Sequence, residues 1–286
     1  MKVFDIQLAL DYEKWNLGDG HRASMTCYLP SNFEEFSTNR KRPAVIVCPG
    51  GGYGMRSSRE GEPISLQYVA QDMASFVVHY SVGKDAGFPR CVLEALTAVK
   101  TVRENAEEWN IDPDQIAILG FSAGGHLAAS AGAFWNADFA TDVFGDNRLC
   151  KPNAAVLCYP VITSGPLANR GSFNNLIGAD ASQELLDLVS IEKQVTENYP
   201  PTFLWHTASD GAVPVENSIM MANALATVKV PFELHVYPTG VHGLALSDER
   251  TVSVKNGVPK PESMELRPRA WVADSVLFLK ETVFKK

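Results

Sequence analysis

The 286-residue chain has no apolar run long enough to span a membrane. Its first residues, Met1-Lys2-Val3-Phe4-Asp5, do not begin the continuous apolar segment of a secretory signal. The expectation is a cytoplasmic protein with no membrane partner. Positive charge is not in excess either. Lys and Arg number 25 against 33 Asp and Glu, a formal net charge of −8, so the electrostatic footprint of a nucleic-acid binder is missing. The basic run Arg40-Lys41-Arg42 reads as the solvated edge of a loop. Cysteine is sparse: Cys27, Cys48, Cys91, Cys150 and Cys158 are odd in number and match no zinc or redox spacing. Reduced, buried thiols are expected, since Cys48 and Cys158 stand in apolar runs. No internal repeat, low-complexity tract or dividing linker is visible, which leaves residues 1–286 as one domain.

What the chain does have is an alternation of short apolar runs with helix-forming stretches. Residues 3–10 and 23–30 alternate as two strands around a turn at Gly18-Asp19-Gly20, and 32–42 read as a polar loop. Residues 43–48, 75–80, 115–119, 154–159, 202–206 and 232–237 read as strands, the most apolar of them buried on both faces. Helices are expected over 62–73, from Pro89 through Val92, Leu96, Val99, Val102 and Trp109, and over 123–135, 216–228 and about 270–283. Asp112-Pro113 reads as a turn, and 136–152 and 246–268 as irregular. The alternation predicts an α/β protein with a mostly parallel central sheet and helices on both faces. Residues 163–199 break the period and read as a small lid insertion with a helix-like stretch at 181–189.

Two glycine-rich turns follow core strands. Pro49-Gly50-Gly51-Gly52-Tyr53-Gly54 lacks the Lys-Ser/Thr of a phosphate loop, and Met55 stands where a dinucleotide fingerprint needs its third glycine. Bare glycines there free backbone N–H groups to point into a cleft, as an oxyanion hole requires. Gly120-Phe121-Ser122-Ala123-Gly124 lies between a strand and a small-residue helix, the setting of a nucleophile elbow. Ser122 on such a turn stands at a helix N-terminus, where developing negative charge is favoured.

A serine nucleophile needs a base, and six histidines are present. His21 precedes the sheet, and His79 and His235 lie within strands. His126, one helical turn past Ser122, reads as a packing residue behind the elbow. His206 ends a strand and could border the cleft. His242, in the Gly-flanked loop Thr239-Gly240-Val241-His242-Gly243, follows the last core strand and is the expected base. Asp210, in the loop after 202–206, is the expected orienting carboxylate, although taken alone it reads equally well as a turn former or helix cap. The order Ser122, Asp210, His242 is that of α/β-hydrolases.

On these residues the chain resembles a known family. Gly-Phe-Ser-Ala-Gly-Gly-His at 120–126, Pro-Gly-Gly-Gly-Tyr at 49–53, His-Thr-Ala-Ser-Asp at 206–210 and Val-His-Gly at 241–243 are similar to motifs of α/β-hydrolase esterases related to acetyl xylan esterases and feruloyl-esterase-like carbohydrate esterases. The resemblance implies the α/β-hydrolase fold, Ser122 as nucleophile, Asp210 as orienter and His242 as base. It also implies an oxyanion hole from the N–H groups of Gly50, Gly51, Gly52 and Ala123. Pro49 replaces the histidine that opens the related lipase motif, a change a backbone hole tolerates. The implied activity is a serine carboxylesterase acting on short acyl esters, acetyl above all, of carbohydrates such as acetylated xylo-oligosaccharides. Its cycle requires no metal or organic cofactor, its partner is a small-molecule ester, and a homo-oligomer is compatible with it. Tyr53, Trp135, Phe173 and Trp205 are candidates for a sugar-stacking wall. An arylformamidase-like hydrolase, a dipeptidyl-peptidase-like hydrolase and a non-catalytic binding module on the same fold are the competing readings.

Overall fold

The computed structural model describes residues 1–35, 37–255 and 258–284, so Phe36 and residues 256–257, within two stretches expected to be irregular, lie outside the described residues. Eight strands make one sheet: β1 (Lys2–Gln7), β2 (Ser24–Leu29), β3 (Arg42–Cys48), β4 (Ala74–His79), β5 (Ile111–Phe121), β6 (Ala154–Cys158), β7 (Thr202–Thr207) and β8 (Phe232–Tyr237). Their spatial order is β1-β2-β4-β3-β5-β6-β7-β8. β1 and β2 pair antiparallel and β2 pairs antiparallel with β4; every pairing from β4 to β8 is parallel. The mostly parallel sheet expected from the alternation is thus present, and a parallel sheet needs helical crossovers on its faces.

The crossovers hold α1 (Glu62–Ala70), α2 (Arg90–Glu104), α3 (Ser122–Phe134), α4 (Asp138–Phe144), α5 (Arg170–Ile177), α6 (Gln183–Leu188) and α7 (Glu216–Thr227), and α8 (Trp271–Phe278) follows the last strand. Successive strand residues point to opposite faces, so each central strand serves two cores. Ala44, Ile46, Ile116, Ile118, Leu157 and Leu204 pack against α2, α3 and α7. Val45, Val47, Leu119, Val156, Phe203 and Trp205 pack against α1 and α8. This two-sided burial explains why the central strands read as unbroken apolar runs, while edge strand β8 is only half-buried.

Three expectations change. Asp112 and Pro113 do not end a segment: Arg42 pairs with Ile111 and Ala44 with Ile116, so the extra residues form a bulge inside β5. Residues 136–152 hold α4 and a short 3-10 turn at Asn147–Cys150. Trp109 lies beyond α2, where it stacks on Phe76 and meets Phe4 edge-on. All five cysteines are buried and unpaired. No helix among the described residues is long and apolar enough to cross a membrane.

The parallel strands bring the loops after β3, β5, β7 and β8 to one edge of the sheet, where side chains far apart in sequence can meet.

Candidate active site

β5 turns into α3 at Ser122, which adopts a positive φ of 53°. For a residue with a Cβ this conformation is strained and persists only where the surroundings enforce it. The enforcement is steric. A Cβ on Gly120 would collide with the Gly124 carbonyl, and one on Gly124 with the carbonyls of Cys48 and Pro49. Only glycines at both positions let strand and helix approach this closely. Ser122 keeps 9% of its surface, enough to present Oγ at the sheet edge.

The loops after β7 and β8 are tied to each other beside it. Thr207 Oγ1 donates to the Gly240 carbonyl at 2.8 Å, and the Gly240 N–H donates to Ser209 Oγ at 3.0 Å. The stitching sets Asp210 and His242 face to face. His242 Nδ1 lies 2.6 Å from Asp210 Oδ2, and His242 Nε2 lies 2.8 Å from Ser122 Oγ. With Nδ1–H donating to the carboxylate, Nε2 is left as the acceptor for the serine hydroxyl. The Tyr159 ring meets the His242 ring edge-on at 5.1 Å and limits its rotation.

Asp210 is nearly fully buried. Burial alone would raise its carboxyl, but hydrogen bonds from His206 and His242, with the Val213 N–H, hold it well below the usual carboxylate range. Its Oδ1 accepts from the Ala212 and Val213 N–H groups, both at 2.9 Å. Asp210 is therefore both a turn former and the partner of His242.

His206 has no exposed surface and does not border a cleft. It sits behind Asp210, with Nε2 3.3 Å from Oδ2 and 3.0 Å from the Val213 carbonyl. Its Nδ1 lies 2.8 Å from Ser218 Oγ. With Nε2–H aimed at two acceptors, Nδ1 accepts from the Ser218 hydroxyl, which fixes the tautomer.

The glycine loop differs from expectation at one position. The Gly50 N–H donates to Glu60 Oε2 at 2.8 Å, so it cannot serve a substrate oxygen. The N–H groups of Gly51 and Gly52 find no acceptor among the described residues. That of Ala123 opens α3 and has no carbonyl one turn back. The donors free to meet an oxyanion are therefore those of Gly51, Gly52 and Ala123. Glu60 gave no signal in the sequence, where it stands in the charged stretch Arg59-Glu60-Gly61-Glu62. It is buried, and its Oε1 accepts from Tyr159 Oη at 2.7 Å. Tyr159 Oη in turn accepts from the Ala245 N–H at 3.0 Å. One carboxylate thus links the glycine loop to the loop that carries His242.

His126 is the packing residue it was expected to be. It is buried behind the elbow, 2.8 Å from Tyr53 Oη through Nδ1 and 2.8 Å from the Val189 carbonyl through Nε2. Burial pushes its imidazole down to about 4. Residues 163–199 rest on the same region: Asn175 Nδ2 donates to the Gly52 carbonyl, and Asn169 Nδ2 to the Ala212 carbonyl.

The aromatic wall does not form as expected. Tyr53, Phe173 and Trp205 are buried, which leaves no face for a sugar ring. Tyr53 is held beneath the glycine loop by Tyr80 and His126, and Trp205 lies between Tyr159 and Trp271. A large aromatic next to a site loses more water-exposed area by joining the core, and here each one does. Trp135 keeps partial exposure, but Lys151 Nζ sits over its ring at 4.7 Å.

The profile of the BD-FAE family matches residues 25–225. The chain is 37% identical over 238 residues to endo-1,4-beta-xylanase B of Butyrivibrio fibrisolvens, which covers 80% of this chain and 36% of that protein. It is 32% identical over 235 residues to an acetylxylan esterase of Xylanibacter ruminicola, covering 80% of this chain and 45% of the other. The chain therefore spans less than half the length of these two relatives. Among solved structures, an acetyl ester-xyloside bifunctional hydrolase from Caldicellulosiruptor lactoaceticus is 34% identical with a TM-score of 0.80, covering 96% of this chain and 95% of that one. A carboxylesterase from Lactobacillus plantarum is 28% identical with a TM-score of 0.83, covering 98% of each chain.

Proposed function

The chain belongs to the BD-FAE family and has the α/β-hydrolase fold, and from that premise we propose that it is a serine carboxylesterase that removes short acyl groups, acetyl above all, from carbohydrates such as acetylated xylo-oligosaccharides. The observation that carries the reading is the hydrogen-bonded chain Asp210–His242–Ser122, with links of 2.6 and 2.8 Å. The substrate class is supported by relatives named as acetylxylan esterase and acetyl ester-xyloside hydrolase.

In the proposed cycle His242 Nε2 takes the Ser122 proton as Oγ attacks the ester carbonyl. The buried Asp210 carboxylate keeps Nδ1 protonated and stabilises the imidazolium that forms. Charge on the carbonyl oxygen is met by the N–H groups of Gly51, Gly52 and Ala123. Each such donor contributes about 3 kcal/mol to the barrier reduction when it is aimed at the oxyanion. His242 then gives its proton to the departing alcohol, and water attacks the acyl-enzyme by the same route in reverse. Residues 163–199 act as a fixed cap over the glycine loop, held by Asn175 and Asn169.

The test is labelling by an active-site-directed fluorophosphonate, read by intact mass and peptide mapping. One adduct on Ser122 in the wild-type protein, and none in Ser122→Ala, is the expected result. Equal labelling of the two, or an adduct on another residue, overturns the assignment. Acetate release from acetylated xylo-oligosaccharides, run beside turnover of N-formylkynurenine, decides between ester and formamide substrates.

A further inference from the structure

A groove of about 420 Å³ adjoins His242, lined by Ser209, Ala212, Val241, His242, Lys260 and Glu262 among others. The cycle above assigns it no role. Resting on that reading, we infer that this groove is the subsite for the leaving-group saccharide, with Lys260 and Glu262 as its polar contacts.

The direction follows from the chemistry of the cleft. The ester carbonyl oxygen must face the N–H groups of Gly51, Gly52 and Ala123. The departing oxygen must come within hydrogen-bond reach of His242 Nε2, because it leaves with that proton. Whatever is attached to the departing oxygen therefore extends on the His242 side, and this groove opens beside that ring. The acyl group lies on the other side of the carbonyl carbon, pointing away from the departing oxygen.

The lining fits a pyranose. Val241 is 40% exposed beside the catalytic loops, an apolar surface left uncovered by the described residues. Together with Ala212 it offers an aliphatic floor for the C–H face of a sugar. The segment 260–263 supplies the polar rim. Its backbone is held in place: the Lys260 N–H donates to the Ser253 carbonyl at 2.7 Å, and the Lys260 carbonyl accepts from Ser263 Oγ at 2.7 Å. The Lys260 ammonium and the Glu262 carboxylate have no side-chain partner among the described residues, so both are free to bond hydroxyl groups. With three donors on one and acceptors on the other, they suit a ligand whose hydroxyls both give and take hydrogen bonds. Tyr53, Phe173 and Trp205, being buried, cannot supply such a surface.

The experiment compares two substrates in wild-type protein, Lys260→Ala and Glu262→Gln. The readout is the ratio of kcat/KM for acetylated xylo-oligosaccharide to kcat/KM for p-nitrophenyl acetate. The ratio is expected to fall about tenfold in Lys260→Ala, the loss of roughly one net hydrogen bond to a charged group, and severalfold in Glu262→Gln. The fall should appear in KM for the saccharide. An unchanged ratio in both variants overturns the subsite, as does a change that follows acyl length across p-nitrophenyl acetate and butyrate. Wild-type protein that hydrolyses p-nitrophenyl acetate and no acetylated saccharide overturns the carbohydrate reading itself, and the subsite with it.

Discussion

Asp210 is served from two sides by imidazoles of different kinds. His242 is partly exposed and must gain and lose a proton in the proposed cycle, whereas His206 is sealed in and locked as a donor by Ser218. The two should separate cleanly in kinetics. His242→Ala is expected to lower kcat for p-nitrophenyl acetate by roughly a thousandfold or more, as removal of a base does. His206→Ala should lower it about fivefold with KM unchanged, the effect of losing one hydrogen bond that positions the carboxylate. Steady-state kinetics on both variants checks this, and equal losses would show that His206 does more than position. In the sequence His206 and Asp210 are four residues apart, and the spacing alone does not say which way either faces. Burial decides it: His206 is a strand residue pointing into the core, and Asp210 is three residues past the strand end.

At the scale of elements, the site depends on loops from separate strands being held at fixed distances. The Glu60 carboxylate is the tie between two of them, through the Gly50 N–H and the Tyr159 hydroxyl. A glutamine there offers one oxygen and one NH₂ group, so one of the two buried donors loses its acceptor. Such a loss costs about 1–3 kcal/mol. Glu60→Gln is expected to lower kcat/KM for p-nitrophenyl acetate about tenfold and to lower Tm. Kinetics with differential scanning calorimetry tests it, and a variant unchanged in both would mean that the tie carries no strain on the loop. The burial of Tyr159 and the nearby Glu60 carboxylate hold the tyrosine hydroxyl far above its ordinary range, so it stays protonated and keeps donating. The two strand-turn elements were legible because their glycines mark close approach. The tie was not, because a glutamate in a charged stretch normally faces water.

Across the whole molecule, His126 is where the glycine loop, the elbow helix and residues 163–199 meet. Its imidazole falls from 6.5 to about 4 because burial penalises the charged form. The unfolded chain therefore binds a proton that the folded one refuses between those values. The contribution to stability is complete above pH 6.5 and is lost as pH falls toward 4, on the order of 3 kcal/mol in total. Tm should drop across that window, and in His126→Asn it should drop by less, as calorimetry at pH 7 and pH 4.5 would show. An identical pH dependence in the variant would place the acid sensitivity elsewhere. Periodicity and punctuation in the sequence determined the parallel sheet, the glycine turns and the order Ser122, Asp210, His242. These are local properties, set by which residues tolerate burial on both faces and which turns only glycine permits. Tertiary structure alone decided that the Gly50 N–H is spent on Glu60, that His206 backs Asp210, and that Tyr53, Phe173 and Trp205 join the core instead of lining a cleft. The first two depend on how the backbone turns between residues only ten and four apart, which residue types do not specify, and the third on side chains packed in from distant parts of the chain.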